Sequence, residues 1–243
     1  MKDQRYFWNP LRIVSPKLDK EVKRFEDLYE TPVSDAHAPE ENLVLMISKL
    51  IHLTKMVAKG MKTDDLAIID SCQKLAEEIH QHEKLATSGL MDQASIIGKN
   101  VFRIVVRFPS RMERIGLMFE AILKSCRIKS TEGMHFSDKA QEELSHIMGL
   151  VLEMLENLRD ALVIPNKIVL EHIKLQSTSL VQAIEDSRLA HWERLEAGFS
   201  SPQTSSIFIE ILDALKNVNE YITKINESLI ALTGLVPATD GHP

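Results

Sequence analysis

The spacing of the apolar residues constrains this chain more than any other feature. Leu43, Met46, Leu50, Leu53, Val57 and Met61 follow one another at steps of three and four. Ile68, Cys72, Leu75 and Ile79 do the same, as do Ile104, Phe108, Met112, Ile115, Phe119 and Ile122. Two further sets are Leu144, Ile147, Val151, Leu155, Leu158, Leu162 and Ile211, Leu215, Val218, Ile222, Ile225, Leu229. A helix brings residues three and four apart onto one face, so each set reads as one buried stripe. A further helical stretch runs from about Pro165 to Ala197, with Pro165 suited to a first turn, where its missing N–H costs nothing. No alternating run is long enough to suggest a strand. The expected fold is all-α with six long helices.

Breaks are expected near Gly60–Thr63, Thr87–Gly89, Ser130–Gly133, Ile164–Pro165 and Gly198–Gln203. Gly89 and Gly198 suit helix C-caps, where a left-handed residue is needed. Thr63 and Ser137 suit N-caps, and the serines of the turn Ser200–Ser206 suit the cap of the last helix.

The six helices read as three plus three. Leu43, Met46, Ile47, Leu50 and Leu53 match Leu144, Ile147, Met148, Val151 and Met154 at an offset of 101. "HEKLATSG" from His82 matches "HWERLEAG" from His191, each with glycine seven residues after histidine. Met112, Ile115, Phe119 and Ile122 match Leu215, Val218, Ile222 and Ile225 at an offset of 103. Three matches in one order imply an internal duplication. Long helices joined by short loops pack antiparallel, so the chain is expected to form two tandem antiparallel three-helix bundles, residues 37–130 and 131–234. An N-terminal arm and short helix, 1–36, precede them, and a tail, 235–243, follows.

The arm, "RYFWNPLRIVSPK", sets Tyr6, Phe7 and Trp8 close to Pro10 and Pro16. Proline fixes φ and removes a donor, so an extended segment is expected. Its aromatics either pin the arm to the domain or dock on another protein. A short charged helix is expected near Lys17 to Tyr29.

Composition excludes several classes. The formal charge is −6 and basic residues form no block, so no nucleic-acid partner is expected. The two cysteines, Cys72 and Cys126, fall in helical patterns and read as buried thiols, not a disulfide framework. No apolar signal core follows Met1, and no run approaches the ~18 apolar residues of a membrane span. A cytoplasmic chain is expected, peripheral to a membrane only through a partner. There is no nucleophile elbow, P-loop or Gly-rich dinucleotide loop, and no enzymatic activity is expected.

Two consecutive three-helix bundles with acidic exteriors resemble the PhoU family of phosphate-uptake regulators. The closest resemblance is to the PhoU-like cytosolic domain of bacterial sodium/phosphate cotransporters. The family carries a stretch like R-x-x-E-R-I-G-D on the third helix of a bundle, and here Arg111-Met112-Glu113-Arg114-Ile115-Gly116-Leu117 is similar to it. "HWERLEAGFSSPQTSSIFIEILDALKNVNEYI", from His191 to Ile222, is similar to the cotransporter pattern H-x-E-R-L-x-x-G, a serine-rich turn, then I-x-x-x-I-L-x-x-L-K-x-x-N. The resemblance spans roughly Pro39 to Leu232 and implies the six-helix PhoU-like fold. It also implies a regulatory role, exerted by contact with a phosphate transporter or sensor protein. Self-complementary helix faces would allow a homodimer.

PhoU proteins often hold outer-face metal clusters through E/D-x-x-x-D on those third helices. This sequence departs from the pattern. Glu113 is followed by Leu117, and the matching second-half positions are Lys216 and Glu220. On a helical wheel Glu113, Leu117, Glu120 and Lys124 point away from the apolar face, as do Asp213, Lys216, Glu220 and Glu227. Glu113, Glu120, Asp213 and Glu220 are therefore the candidate metal ligands of a degenerate motif. No cofactor is expected beyond a weakly held divalent or iron cation. The same stripe reads otherwise as a solvated face, or as a partner or bundle–bundle contact centred on Leu117. Glu77-x-x-His80 and Glu143-x-x-His146 match the spacing of di-iron bundles, but Glu77 and His146 lie off their helices' apolar faces. His52 and His191 are expected at the surface or its boundary, and His82 in the core. The other function classes are a metal-binding bundle with a multinuclear iron or zinc cluster, in storage or redox, and a helical scaffold unrelated to phosphate.

Overall fold

The computed structural model describes residues 38–234, together with the isolated positions 20 and 23. Tyr6, Phe7 and Trp8, most of the short helix expected near Lys17 to Tyr29, and the tail 235–243 lie outside the described residues. Among the described residues seven helices of known extent follow in order: α1 Pro39–Thr63, α2 Leu66–Asp92, α3 Lys99–Val105, α4 Phe108–Thr131, α5 Asp138–Val163, α6 Lys167–Glu196 and α7 Pro202–Thr233. Six are long and α3 is a short connector. Among the described residues there is no strand.

α1, α2 and α4 pack on one another as one antiparallel triplet, and α5, α6 and α7 as the second. α4 lies along α7 and α1 along α5, so the triplets meet on two helix pairs. One continuous cluster of buried residues runs through both. The matched residues of the repeat occupy it in equivalent places: Leu43 with Leu144, Met46 with Ile147, Leu50 with Val151, Leu53 with Met154. The seams carry few but specific polar ties. Arg111 donates to the Lys224 carbonyl at 2.6 Å and to Ser228 Oγ at 2.7 Å. Ser125 donates to Glu210 at 2.9 Å, and Lys55 pairs with Glu156 at 3.0 Å.

Four helix starts are closed by side chains. Asp65 accepts from Ala67 and Ile68, Ser137 from Ala140, Asn166 from Ile168 and Val169, and Ser201 from Thr204. These satisfy N–H groups that have no partner inside a helix. Ser137 is the cap expected from sequence, and Ser201 comes from the expected serine turn. Thr63 is not a cap. It ends α1, where its hydroxyl donates to the Lys59 carbonyl at 3.0 Å, and Asp65 caps α2 instead.

Two other expectations change. α2 does not stop at Gly89 but continues to Asp92. A Cβ at Gly89 would come within 3.2 Å of the Pro39 ring, so this glycine permits close approach rather than a left-handed turn. Gly198, by contrast, has φ +75 just beyond α6, as a C-cap glycine should. The stripe from Ile104 to Ile122 is not one helix. Pro109 lies in the first turn of α4, and its ring excludes the carbonyl four residues back, so α3 ends at Val105.

Asp64 joins α1 to α2 at φ 54. It is fastened from the far end of α4, where Lys129 pairs with its carboxylate and the Ser130 hydroxyl donates to its carbonyl at 2.9 Å. Lys129 is itself inaccessible, with its Nζ 5.1 Å from the centre of the Phe136 ring.

Candidate functional site

The outer face of α4 carries the first pair of candidate ligands. Glu113 is only 19% exposed, because α2 lies against that flank and His80 Nδ1 is hydrogen-bonded to its carboxylate. The wheel places Glu113 outside its own helix's apolar face, but a wheel cannot show that a neighbouring helix covers the flank. Glu120 and Leu117 are half-buried and line a shallow groove between α2 and α4, with Gln73, Lys124 and Arg127. Leu117 therefore sits in a groove of the first triplet. The α4–α7 seam is closed by Arg111 and Ser125 instead.

The second pair lies on α7 and is exposed. Asp213 accepts from Arg188 Nη2 of α6 at 2.7 Å, and Glu220 pairs with Lys224 one turn on at 3.5 Å. Lys216, at the position matching Glu113, pairs with Glu185 of α6 at 3.1 Å. The two pairs of acids thus face different helices, α2 and α6, and are not brought together. Among the described residues no three His, Cys, Asp or Glu side chains gather as a metal site would require. His80 and Glu113 supply two donors where a zinc site takes three or four. The Glu-x-x-His spacings resolve the same way. Glu77 and His146 are exposed, and Glu143 is held by both Nη atoms of Arg194 at 2.8 Å each.

His191 is not at the surface. It is buried between α6 and α7, its Nε2 hydrogen-bonded to Ser205 and its ring stacked on Phe208 at 4.5 Å. Burial holds its pKa below the ordinary 6.5, assisted by the neighbouring Arg194 charge. His82, its counterpart in the repeat, is buried in α2 as expected. The spacing shared by the two copies therefore marks a core position, where one ring per triplet fills the space between helices.

Two surfaces were not read from the sequence. One is a groove along α5 facing α1, lined by Lys62, Glu142, Ser145, His146 and Glu153. Burial pushes the Glu153 carboxyl above its usual range, against the pull of His172 at 3.5 Å. The other is the outward side of α6. Its buried face is Val169, Leu170, Ile173, Leu180, Ile184 and His191. Opposite them Ile168, Leu175 and Leu189 stand 69%, 68% and 63% exposed, with Trp192 at 52%. α6 packs chiefly on α5 and α7, and this side stays open to solvent. The seven-residue spacing from Ile168 to Leu175, and the fourteen from Leu175 to Leu189, could have revealed it. The continuous apolar face on the core side masked it.

The fold is the PhoU-like six-helix arrangement of two triplets. Two solved structures share it. One is a PhoU-like phosphate regulatory protein and the other a PhoU-like protein, both from Shewanella oneidensis MR-1. Each aligns with a TM-score of 0.54 at 11% sequence identity over 83% of this chain, covering 98% and 99% of theirs. At that identity the likeness establishes the fold. No protein-family model and no curated protein sequence matches the chain. No helix among the described residues is long and apolar enough to cross a membrane.

Proposed function

We propose that this protein is a regulatory or accessory component of phosphate transport. It acts without catalysis, by helix-face contact with a phosphate transporter or sensor protein at the cytosolic side of the membrane. The observation that carries the contact is the exposed stripe Ile168, Leu175, Leu189 and Trp192 on the outer side of α6. Apolar side chains at heptad spacing on an edge helix are what a partner helix reads, and aromatic anchors of this kind dominate helix-in-groove binding. The phosphate assignment is supported by the PhoU-like fold and by what the Shewanella protein of that fold is described as regulating. Leu117 and the aromatic arm with Tyr6, Phe7 and Trp8 are secondary candidate surfaces. The relation to sodium/phosphate cotransporters rests on the motif from His191 to Ile222.

The test combines a deletion strain with a surface variant. Deletion should change phosphate uptake, and affinity capture should yield a different partner set after phosphate starvation. Leu175→Glu with Leu189→Glu should leave folding intact, since both side chains are exposed, but should lose the partner and reproduce the deletion. Unchanged uptake in the deletion strain would sink the phosphate reading. Partner capture undiminished by the double variant would remove α6 as the contact face. Stoichiometric iron or zinc in protein purified without chelator, lost in Glu113→Ala, would favour the metal-binding reading.

A further inference from the structure

The chain carries a formal charge of −6, yet one stretch of it is purely basic. From Gln93 to Met112 there is no Asp or Glu, and Lys99, Arg103, Arg107 and Arg111 recur every fourth residue. Steps of four keep residues on one side of a helix. α3 runs from Lys99 to Val105, and Val106 and Arg107 beyond it keep helical backbone. Lys99, Arg103 and Arg107 therefore fall within roughly 80° of one another, and all three are exposed. Arg111 turns inward instead, to the Lys224 carbonyl and Ser228 of α7. Burial and the neighbouring Arg107 charge pull its pKa down, and Glu227 of α7 offsets part of that.

Apolar side chains border this basic lane. Ile104 and Val105 pack on the core from the other side of α3, but no residue of α3 is fully buried. Phe102 and Val106 lie between the two sides and are half-buried. Just before α3, Ile96 is 82% exposed. A closed turn holds it out. The N–H groups of Ile96 and Ile97 both donate to the Gln93 carbonyl, at 2.9 and 3.0 Å, and Gly98 at φ +80 redirects the chain into α3. Exposed apolar residues beside a lane of cations, on a helix with the core behind it, form the pattern of an interfacial segment.

We propose that this end of the molecule, from Ile96 to Arg107, is a contact surface for an anionic lipid bilayer. Ile96 enters the boundary between headgroups and acyl chains, with Phe102 and Val106 beside it. Lys99, Arg103 and Arg107 reach the lipid phosphates, their stems lying along the apolar surface. The attraction is local to this lane, because a chain of net charge −6 is repelled as a whole by an anionic surface. The surface is distinct from Leu175, Leu189 and Trp192 on α6, and it holds whether or not the protein regulates phosphate transport.

Flotation of the full chain with vesicles tests it. The chain should float with vesicles of mixed phosphatidylglycerol and phosphatidylcholine but not with phosphatidylcholine alone, and sodium chloride should release it. Each basic residue beside an anionic surface is worth roughly fivefold in affinity. Lys99→Gln with Arg103→Gln and Arg107→Gln should therefore weaken binding roughly 100-fold. Ile96→Asp should weaken it roughly tenfold or more. All four side chains are exposed, so the circular dichroism should not change. Position is read from a polarity-sensitive thiol dye at Ile96→Cys. The native thiols stay silent, because burial pushes Cys72 up to about 11 and Cys126 up to about 12. The dye should shift to the blue on anionic vesicles, and the same dye at Phe199→Cys, about 40 Å away along α7, should not. The proposal is overturned if the unmodified chain does not float or floats equally with phosphatidylcholine, if the triple variant floats as well as the unmodified chain, or if the dye responds at Phe199→Cys and not at Ile96→Cys. Binding of poly-L-glutamate in place of vesicles, lost in the triple variant, would make the lane a protein-docking surface and overturn the bilayer reading. Release by sodium phosphate beyond that by sodium chloride at equal ionic strength would assign the cations to a discrete phosphate anion and overturn it as well.

Discussion

The knot at Asp64 makes an unequal prediction for its two partners. Lys129 is 1% exposed and Asp64 29%. Replacing Asp64 with Asn suits the left-handed backbone there, at φ 54, since asparagine tolerates that region. The substitution strands the Lys129 ammonium in an inaccessible place. Breaking a buried pair from one side costs about 3–5 kcal/mol. The Phe136 ring, 5.1 Å from Nζ, remains as a cation–π partner, so the expected loss is about 3 kcal/mol. Lys129→Met keeps the packed stem and removes the charge. It leaves a carboxylate that still reaches water and has His135 at 3.9 Å, so the expected loss is about 1 kcal/mol. The double variant should match Lys129→Met within about 0.5 kcal/mol, because no charge is then stranded. Urea unfolding followed by circular dichroism measures all three, and the single core should give one transition. If Asp64→Asn costs less than Lys129→Met, the burial asymmetry does not govern this site and the reasoning fails.

Two more expectations follow from single residues. The His191 pKa is lowered in the folded protein, so between that value and 6.5 the unfolded chain binds the extra proton; stability is full above about pH 6.5 and declines as pH falls below it. His191→Gln should flatten that decline, which unfolding midpoints at about pH 7.5 and about pH 5.5 would show; an equal decline in the variant would refute the assignment. Gly149→Ala should stabilise by about 0.5–1 kcal/mol, because the site is inside α5 and a Cβ there meets nothing within 4 Å. Gly89→Ala should gain no such benefit, since its Cβ would press on Pro39; equal melting-temperature gains in the two would refute the packing role of Gly89.

The helical stripes are legible because burial in a bundle acts on one helix at a time. Met112, Ile115, Phe119 and Ile122 are all inaccessible where the period places them. The caps are partly legible. Ser137 stands before a clear stripe, whereas Thr63 loses to Asp65 because both polar residues lie within one turn and only geometry separates them. The candidate ligands are legible as residues on an outer face but not as a constellation. Glu113 answers to His80 across a helix boundary, and Asp213 to Arg188 across another. His191 lies on the α6 core face seven residues after Ile184, so periodicity places it inside; only its partners, Ser205 and Phe208 on α7, need the tertiary structure. The α6 stripe is hidden because a helix apolar on two sides blurs its own period.

The sequence by itself determined the all-α class, the six long helices and the pairing of core positions between two copies, because these depend on spacings of three and four and on hydrophobic burial. Only the tertiary structure decided which flank of each helix stays wet. It set the acids of α4 against α2 and those of α7 against α6, and left the outer side of α6 bare. Those outcomes depend on which helix lies beside which, a property that no single helix's periodicity contains.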